Sequence, residues 1–357
     1  MIGVFDHPWL GGLFGDQEAA VIWSPDRQIT HMLAFEAAFT RALGAVGTIP
    51  PTTADDLAMQ IAAFQPDMES LRIGTARDGV VVPDLVRQLR DTLGAEPKAI
   101  HSGATSQDVI DTALALTLKE FNSLLDRRLG TLCDALDGLA AQFGEATIMG
   151  RTRMQAALPI SAKDRLLTWS LPLDHHRARL LSTRTAVERL QLGGATGDRA
   201  ALGQHAELMA AKIAAGLGLG NPPKAWHVMR EGVVEYAGLL SLVSGALGKM
   251  GQDICLMAQK GIEDITMKSG GGSSAMPHKQ NPVLAELLVT LSRFNATQVS
   301  AMHHALIHEQ ERSGAAWALE WMVLPQIAQA TARGVAVATD MCHEISRIGT
   351  VLHSKQY

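Results

Sequence analysis

The stretch GGGSSAMPHKQNP, residues 270–282, separates two long helical patterns and concentrates flexible backbone and polar side chains in thirteen residues. Three consecutive glycines remove the restriction that a Cβ imposes, so the segment can open and close over a ligand. Ser273 and Ser274 supply hydroxyl groups. Lys279 adds a compact positive charge and Asn281 an amide donor. These groups suit a carboxylate and predict an active-site loop, with a plain Gly-rich linker as the alternative.

Long helical patterns run outward from this loop in both directions, and strand alternation is almost absent. A helix of roughly 40 residues spans about 57 Å at 1.5 Å per residue, so such helices need a bundle to cover them. The sequence therefore predicts a mainly α protein. The expected long helices are Thr105 or Ser106 to Phe143, Ser161 to about Leu192 with a kink at Pro172, about Glu231 to Lys268, Pro282 to about Arg312, and roughly Ala315 to Ile348.

The helical patterns divide the chain into three predicted regions. Residues 1–104 hold shorter helices and more turns, which predicts a small N-terminal helical domain. Residues 105–345 predict the central long-helix bundle and oligomerisation domain, and residues 346–357 a C-terminal tail. The apolar run at residues 239–247 fits either burial between subunits or an internal core.

Composition argues against several classes of protein. With 357 residues, 47% of them hydrophobic, the chain is long enough for two globular domains. A net charge of −5, without a block of Lys or Arg interleaved with aromatic residues, gives no support for nucleic-acid binding. The three cysteines lack metal-site spacing, and no secretion signal or membrane segment is evident. We therefore expect a cytoplasmic protein without disulfides or zinc.

A second polar cluster stands at the start of the first long helix, in the run HSGATSQD at residues 101–108. Helix N-termini attract anions through exposed amides and the helix dipole. Thr105 and Ser106 add hydroxyl groups there, and His101 adds an imidazole. A carboxylate site is predicted at this point, with an ordinary Ser/Thr helix cap as the alternative.

A third cluster lies in the run GRTRMQAALP, residues 150–159, which contains Arg151, Arg153 and Gln155. A guanidinium stays protonated at neutral pH and grips a carboxylate through two parallel hydrogen bonds. Arg153 is therefore expected to bind substrate and not to shuttle protons. A surface salt bridge is the alternative.

These three runs resemble the signature segments of the fumarase/aspartase superfamily, written G-S-S-x-M-P-x-K-x-N-P, H-x-G-x-T-S-x-D and G-R-T-H-x-Q-x-A-x-P. The resemblance covers the chain to about residue 340, and Arg153 departs from it because the lyases carry a histidine there. It implies an all-α fold with a long-helix central bundle and a small N-terminal helical domain. It also implies a homotetramer whose sites draw segments from three subunits, and a C-terminal third domain that is largely missing here.

The resemblance further implies a role for each matching residue, and no metal or organic cofactor. Ser273 corresponds to the residue that moves the proton, with His101 and Lys279 as further catalytic residues. Glu286 occupies the position of the acidic partner of the replaced histidine, which suggests an ion pair with Arg153. The residues expected to bind substrate are Thr105, Ser106, Arg151, Arg153, Gln155, His227, Ser274, Asn281 and Arg312.

Two further runs favour the cycloisomerase branch of this superfamily. Residues 226–230, WHVMR, resemble its P-W-H-T-x-R segment, and residues 308–321 resemble its H-E-x-E-R…W…E-W run. In that branch a small-molecule tricarboxylate closes to a lactone, and the cationic residues of this chain suit three carboxylates better than two. Two alternatives stay open: a fumarate-releasing lyase such as adenylosuccinate lyase, and a catalytically silent structural homologue.

Overall fold

Helices dominate the computed structural model, which describes residues 3–95, 97–268, 270–272, 276 and 280–350, and the predicted all-α class is confirmed. Twelve α-helices occur in these residues: α1 (Gly11–Phe14), α2 (Gln17–Ile22), α3 (Pro25–Ala45), α4 (Pro51–Ala62), α5 (Met68–Asp78), α6 (Val82–Leu93), α7 (Ser106–Phe143), α8 (Ala162–Val187), α9 (Ala206–Leu217), α10 (Glu231–Met257), α11 (Val283–His304) and α12 (Ala315–Glu344).

Short β-strands, which the sequence did not predict, accompany the helices in the described part of the chain. They form two antiparallel pairs, and each pair has one irregularity in its register. Their pairing depends on contacts between separate segments, which local periodicity does not reveal. The strands are β1 (Thr147–Thr152) with β2 (Gln155–Ser161), and β3 (Ile265–Met267) with β4 (Ile345–Ile348).

The central bundle consists of α7, α8, α10, α11 and α12. The helix α7 packs against α8 and α12, and α10 packs against α8, α11 and α12. One core joins them, in which Phe121, Leu240 and Ile327 are fully buried. Burial of each such side chain contributes about 1.5–3 kcal/mol, so the shared core and not helix propensity holds these long helices together.

Local hydrogen bonds fix where α8 begins. The backbone N–H of Asp164 donates to Ser161 Oγ at 3.0 Å, and the backbone N–H of Ser161 donates to Asp164 Oδ2 at 3.3 Å. This capping box satisfies two amides that the helix itself leaves unpaired. The helix then continues through Pro172, where the sequence predicted a kink.

A second core lies beside the bundle, among α3, α4, α6, α9 and the first turns of α7. Phe35, Phe39 and Leu85 are fully buried in it. Met209 and Ile213 of α9 belong to it too, although they follow the bundle helix α8 in the chain. This core therefore draws residues from both sides of position 104, and the domain division at residues 104 and 345 stays a prediction.

Two long helices end well before the predicted residue because of packing and turn chemistry. The helix α8 ends at Val187, and Leu190 and Leu192 leave the helical path to pack in the second core. The helix α10 ends at Met257. The chain then turns through Gly261, whose φ of 88° suits glycine.

The last two long helices are also shorter than predicted. The helix α11 ends at His304 and not at Arg312, and the chain turns before α12 begins. The helix α12 ends at Glu344, because the residues up to Ile348 form β4 and pair with β3.

The apolar helix α10 is the one described helix that is long and apolar enough to cross a membrane. However, 61% of its most apolar 18-residue stretch is buried inside the fold. Leu239, Leu240 and Leu247 are buried, whereas Leu242 is 52% exposed. Most of this apolar run therefore belongs to the internal core.

Candidate active site

The N-terminus of α7 is the first part of the site, with Thr105 as its N-cap residue. Asp108 lies in the first turn and is fully buried. Its Oδ2 accepts hydrogen bonds from the backbone N–H groups of Thr105 at 3.0 Å and Gly194 at 2.9 Å. Its Oδ1 accepts one from the backbone N–H of Gly193 at 2.8 Å. Asp108 thereby fixes the start of α7, with Thr105 and Ser106, against the Gly193-Gly194 turn.

Two predicted substrate-binding residues, His227 and Arg312, pack around this turn. His227 Nε2 lies 2.8 Å from Asp108 Oδ1, and the His227 side chain is only 3% exposed. Arg312 is exposed and donates through Nη2 to the carbonyl oxygens of Gly194 at 3.3 Å and Ala195 at 3.0 Å. His227 supports the helix start from inside the fold, whereas Arg312 keeps its access to solvent.

His101 precedes the same helix, and its ring faces Glu36 on α3. The distance from His101 Nδ1 to Glu36 Oε1 is 2.6 Å, and Glu36 is fully buried. Burial alone would lower the pKa of the His101 imidazole, but the charge and hydrogen bond of Glu36, helped by the charge of Asp108, raise that pKa above its usual value. The imidazole is therefore cationic over a wider pH range than a free histidine, which favours a carboxylate ligand.

A fully buried charge network lies next to this cluster. Arg230 Nη1 donates to Asp111 Oδ2 at 2.7 Å, and Arg230 Nε donates to Glu320 Oε1 at 2.9 Å. Trp317 Nε1 donates to Asp111 Oδ1 at 3.0 Å. Burial would lower the pKa of Arg230, but the two carboxylates raise it, so the guanidinium remains charged. The network ties α7 to the start of α10 and to α12.

The third sequence cluster forms the β1–β2 hairpin at the opposite end of α7. Thr152 pairs with Gln155, so Arg153 and Met154 form a two-residue turn with φ values of 47° and 67°. Positive φ at both positions is the pattern of a tight hairpin turn that matches the twist of the strands. Residues 151–159 are exposed. The hairpin therefore presents Arg151, Arg153 and Gln155 to solvent.

The chain that leads into the signature segment passes close to this hairpin. Arg151 Nη2 lies 3.8 Å from Asp264 Oδ2, next to β3. After β3, Gly271 and Asn281 exchange two backbone hydrogen bonds of 2.9 Å. A Cβ at Gly271 would lie 2.4 Å from the side chain of Val283, so this close approach requires glycine. The predicted residues that lie outside the described part of the chain are Ser273, Ser274 and Lys279.

A single chain holds the two halves of the predicted site apart. The helix α7 has 38 residues and spans about 57 Å. The predicted residues at its N-terminal end are His101, Thr105, Ser106, His227 and Arg312, and those at its C-terminal end are Arg151, Arg153, Gln155 and Asn281.

The ion pair expected between Arg153 and Glu286 does not form within the chain, where both residues are described. Arg153 stands on the exposed turn of the hairpin, and Glu286 is exposed in the first turn of α11, so each faces solvent within one chain. Within the described residues, no group of three or more His, Cys, Asp or Glu side chains is arranged to hold a metal ion.

Three residues whose side chains hold the site together through hydrogen bonds were not predicted from the sequence: Glu36, Asp108 and Arg230. Asp108 carried a usable signal, because an acidic residue at the third helical position typifies a capping box. Glu36 is a charged residue within the apolar run AFEAAF, which suggests a buried charge with a partner. Its partner, however, lies 65 residues away in the sequence.

Comparison with known proteins gives a matching family and several relatives with named activities. A family model described as Lyase matches residues 15–299. A 3-carboxy-cis,cis-muconate cycloisomerase of Pseudomonas aeruginosa is 35% identical over 313 residues, which cover 86% of this chain and 68% of the relative.

Solved structures show the same likeness. The 3-carboxy-cis,cis-muconate lactonizing enzyme from Pseudomonas putida superimposes with a TM-score of 0.89 and 32% identity, over 96% of this chain and 77% of that one. A fumarate lyase from Mesorhizobium sp. BNC1 gives a TM-score of 0.87 and 31% identity, over 94% and 76%. The likeness therefore extends over almost the whole of this chain.

Proposed function

The chain belongs to the lyase family of the fumarase/aspartase superfamily, and we propose that it is a 3-carboxy-cis,cis-muconate cycloisomerase. It converts 3-carboxy-cis,cis-muconate to 4-carboxymuconolactone, a step in the degradation of protocatechuate through β-ketoadipate. Relatives and solved structures that carry this activity in their names support the proposal.

The observation that carries the choice of substrate is Arg153 at the exposed hairpin turn. A guanidinium cannot readily give up its proton, so this position binds an anion where the lyases of the superfamily have a titrating histidine. Arg151 and Gln155 stand beside it on the same hairpin. His101 and Lys279 add further cations to the proposed site, so a substrate with three carboxylates compensates more of this positive charge than a dianion would.

The reaction joins atoms already present in the substrate. A carboxylate oxygen attacks the conjugated diene and forms the C–O bond of the lactone. The electron pair moves to the carbon next to another carboxylate, and a proton adds there, so that a trianion becomes a dianion. We assign stabilisation of the carboxylate charge to the amides at the start of α7 and to the His101 imidazolium, a role supported by the helix dipole and by the contact of His101 with Glu36.

We assign the proton transfer to Ser273, with Lys279 as the nearby cation that makes its hydroxyl a better proton carrier. This part of the proposal rests on the sequence signature, because both residues lie outside the described part of the chain. The proposed reaction needs neither a metal nor an organic cofactor. We also propose a cytoplasmic location, which is supported by bacterial relatives that are named as metabolic enzymes.

The proposal includes a homotetramer with shared active sites. Its support is the distance of about 57 Å between the two ends of α7, since one substrate molecule cannot contact both ends of the same chain. A partner chain that runs in the opposite direction would bring the hairpin of one subunit to the α7 N-terminus of another.

The test is incubation of the purified protein with 3-carboxy-cis,cis-muconate without added metal. Loss of the diene ultraviolet absorbance and an NMR spectrum of the lactone are expected. A parallel incubation with adenylosuccinate separates the alternatives: fumarate release there, without lactone from the first substrate, would assign a lyase. If neither lactone nor fumarate forms, both catalytic assignments would be contradicted, and the protein would be a catalytically inactive structural homologue.

A further inference from the structure

A buried carboxylate–imidazole pair joins α3 to the start of α7. Glu36 is fully buried, and its Oε1 lies 2.6 Å from His101 Nδ1. The second oxygen, Glu36 Oε2, is buried and has no hydrogen-bond partner in the described residues. Because a lone buried carboxylate is costly, His101 is the group that compensates the charge of Glu36.

The backbone of His101 is held in an unusual conformation. Its φ is 58°, in the left-handed region that non-glycine residues adopt only at some cost in energy. With Nδ1 taken by Glu36, Nε2 is the ring nitrogen left to meet a ligand, and the side chain is 14% exposed. The ring is therefore oriented by Glu36, and part of the side chain remains exposed.

We infer that Glu36 is a positioning residue that holds His101 as an imidazolium, and that this imidazolium binds one carboxylate of the substrate. The inference rests on the proposed function, because it takes a tricarboxylate as the ligand. It adds Glu36, a residue of α3, to the candidate site. Glu36 acts through His101 and does not itself contact the substrate.

The charges around the ring decide its protonation. Glu36 on α3 and Asp108 on α7 raise the pKa of His101, while burial and the charge of Arg90 on α6 lower it, and the carboxylates prevail. Carboxylate binding should therefore be strong at neutral pH and weaken as the pH rises through the raised pKa. Without the charge of Glu36, burial and Arg90 lower the pKa of His101 against Asp108 alone, and the same weakening of binding should occur at lower pH.

The experiment measures binding of tricarballylate, a stable tricarboxylate, by calorimetry at pH 7 in buffers of different ionisation enthalpy. For the wild type, the imidazolium is already present, so little proton uptake is expected. For Glu36→Gln, which keeps a hydrogen-bonding group of the same size, we expect about tenfold weaker binding and uptake of about one additional proton.

An unchanged affinity and proton count in Glu36→Gln would overturn the inference, and so would a wild type that does not bind tricarballylate. If Glu36→Gln fails to fold, His101→Gln provides the second test: the pH dependence of binding between neutral and alkaline pH should disappear, and its persistence would contradict the inference. Failure of the proposed function can be told apart from failure of this inference. A wild-type protein that binds tricarballylate with the expected proton uptake and pH dependence, but forms no lactone, would refute only the proposed reaction.

Discussion

His101 and Arg151 lie at opposite ends of α7, the first just before the helix begins and the second after it ends. The 38 residues between Ser106 and Phe143 separate them by about 57 Å. Both residues carry charge suited to the same kind of ligand, a carboxylate. Their separation makes association of chains a condition of catalysis in the proposed enzyme.

Replacement of Arg153 by Asn tests the role of the hairpin turn. Asn tolerates the positive φ of 47° at this position, so the turn should keep its shape while losing its charge. We expect kcat/KM to fall about 100-fold, mainly through KM, because a charged hydrogen-bonded pair to a substrate carboxylate is lost. Steady-state kinetics with 3-carboxy-cis,cis-muconate measure this change.

The matched control is Met154→Asn in the same turn, at a φ of 67°. It alters the hairpin without removing a cation, so kcat/KM should stay near the wild-type value. Equal losses in the two variants would show that hairpin shape, and not the guanidinium, accounts for the effect.

Replacement of Asp108 by Asn should destabilise the fold. The carboxylate accepts from three backbone N–H groups and contacts His227, and an amide would place its own N–H groups against some of these donors. We expect a loss of about 3 kcal/mol in the free energy of unfolding, measured by urea titration. Asp137→Asn, at an exposed position of the same helix, should change it by less than about 0.5 kcal/mol.

Replacement of Arg230 by Met should also destabilise the protein, because Asp111 and Glu320 stay buried and lose the guanidinium that pairs with both. The expected loss is about 3–5 kcal/mol in the free energy of unfolding. The control Arg177→Met breaks the exposed pair with Asp126, where the Arg177 side chain is 42% exposed, and should cost at most about 1 kcal/mol. Similar losses in both variants would mean that burial does not set the importance of the Arg230 network.

The helical class and the start of α7 could be predicted from the sequence because their signals are local. A Ser/Thr cap followed by a long apolar pattern without proline predicted a helix from Thr105 or Ser106, and α7 begins at Ser106. The predicted C-terminal ends of the later helices are wrong, because the true ends depend on contacts with residues that are distant in the sequence. Residues 345–348 continue the apolar pattern of α12, yet they pair with β3.

The site shows the same division between local and distant signals. Motif residues such as Thr105 and Arg153 were found because each lies in a recognisable run. The link from His101 to Glu36 spans 65 positions, and the link from Asp108 to His227 spans 119. Only the packing of α3 and the residues before α10 against α7 brings these pairs together, and no pattern in a single segment encodes that packing.

The most direct test of a site built from both ends of α7 is complementation between two variants. His101→Gln damages the N-terminal end and Arg153→Asn the hairpin end. At a substrate concentration far below KM, where the rate follows kcat/KM, each protein alone should therefore be nearly inactive. When the two chains are co-expressed and the mixed oligomers purified, random assembly should leave about a quarter of the sites with both residues intact, because each site takes the two residues from different subunits.

Recovery of about a quarter of the wild-type rate of lactone formation in the mixed oligomers is the predicted result. Size-exclusion chromatography and mass spectrometry of the purified sample would establish that both chains are present in one assembly. A rate no higher than the sum of the two parent variants, in verified mixed oligomers, would contradict a site shared between subunits.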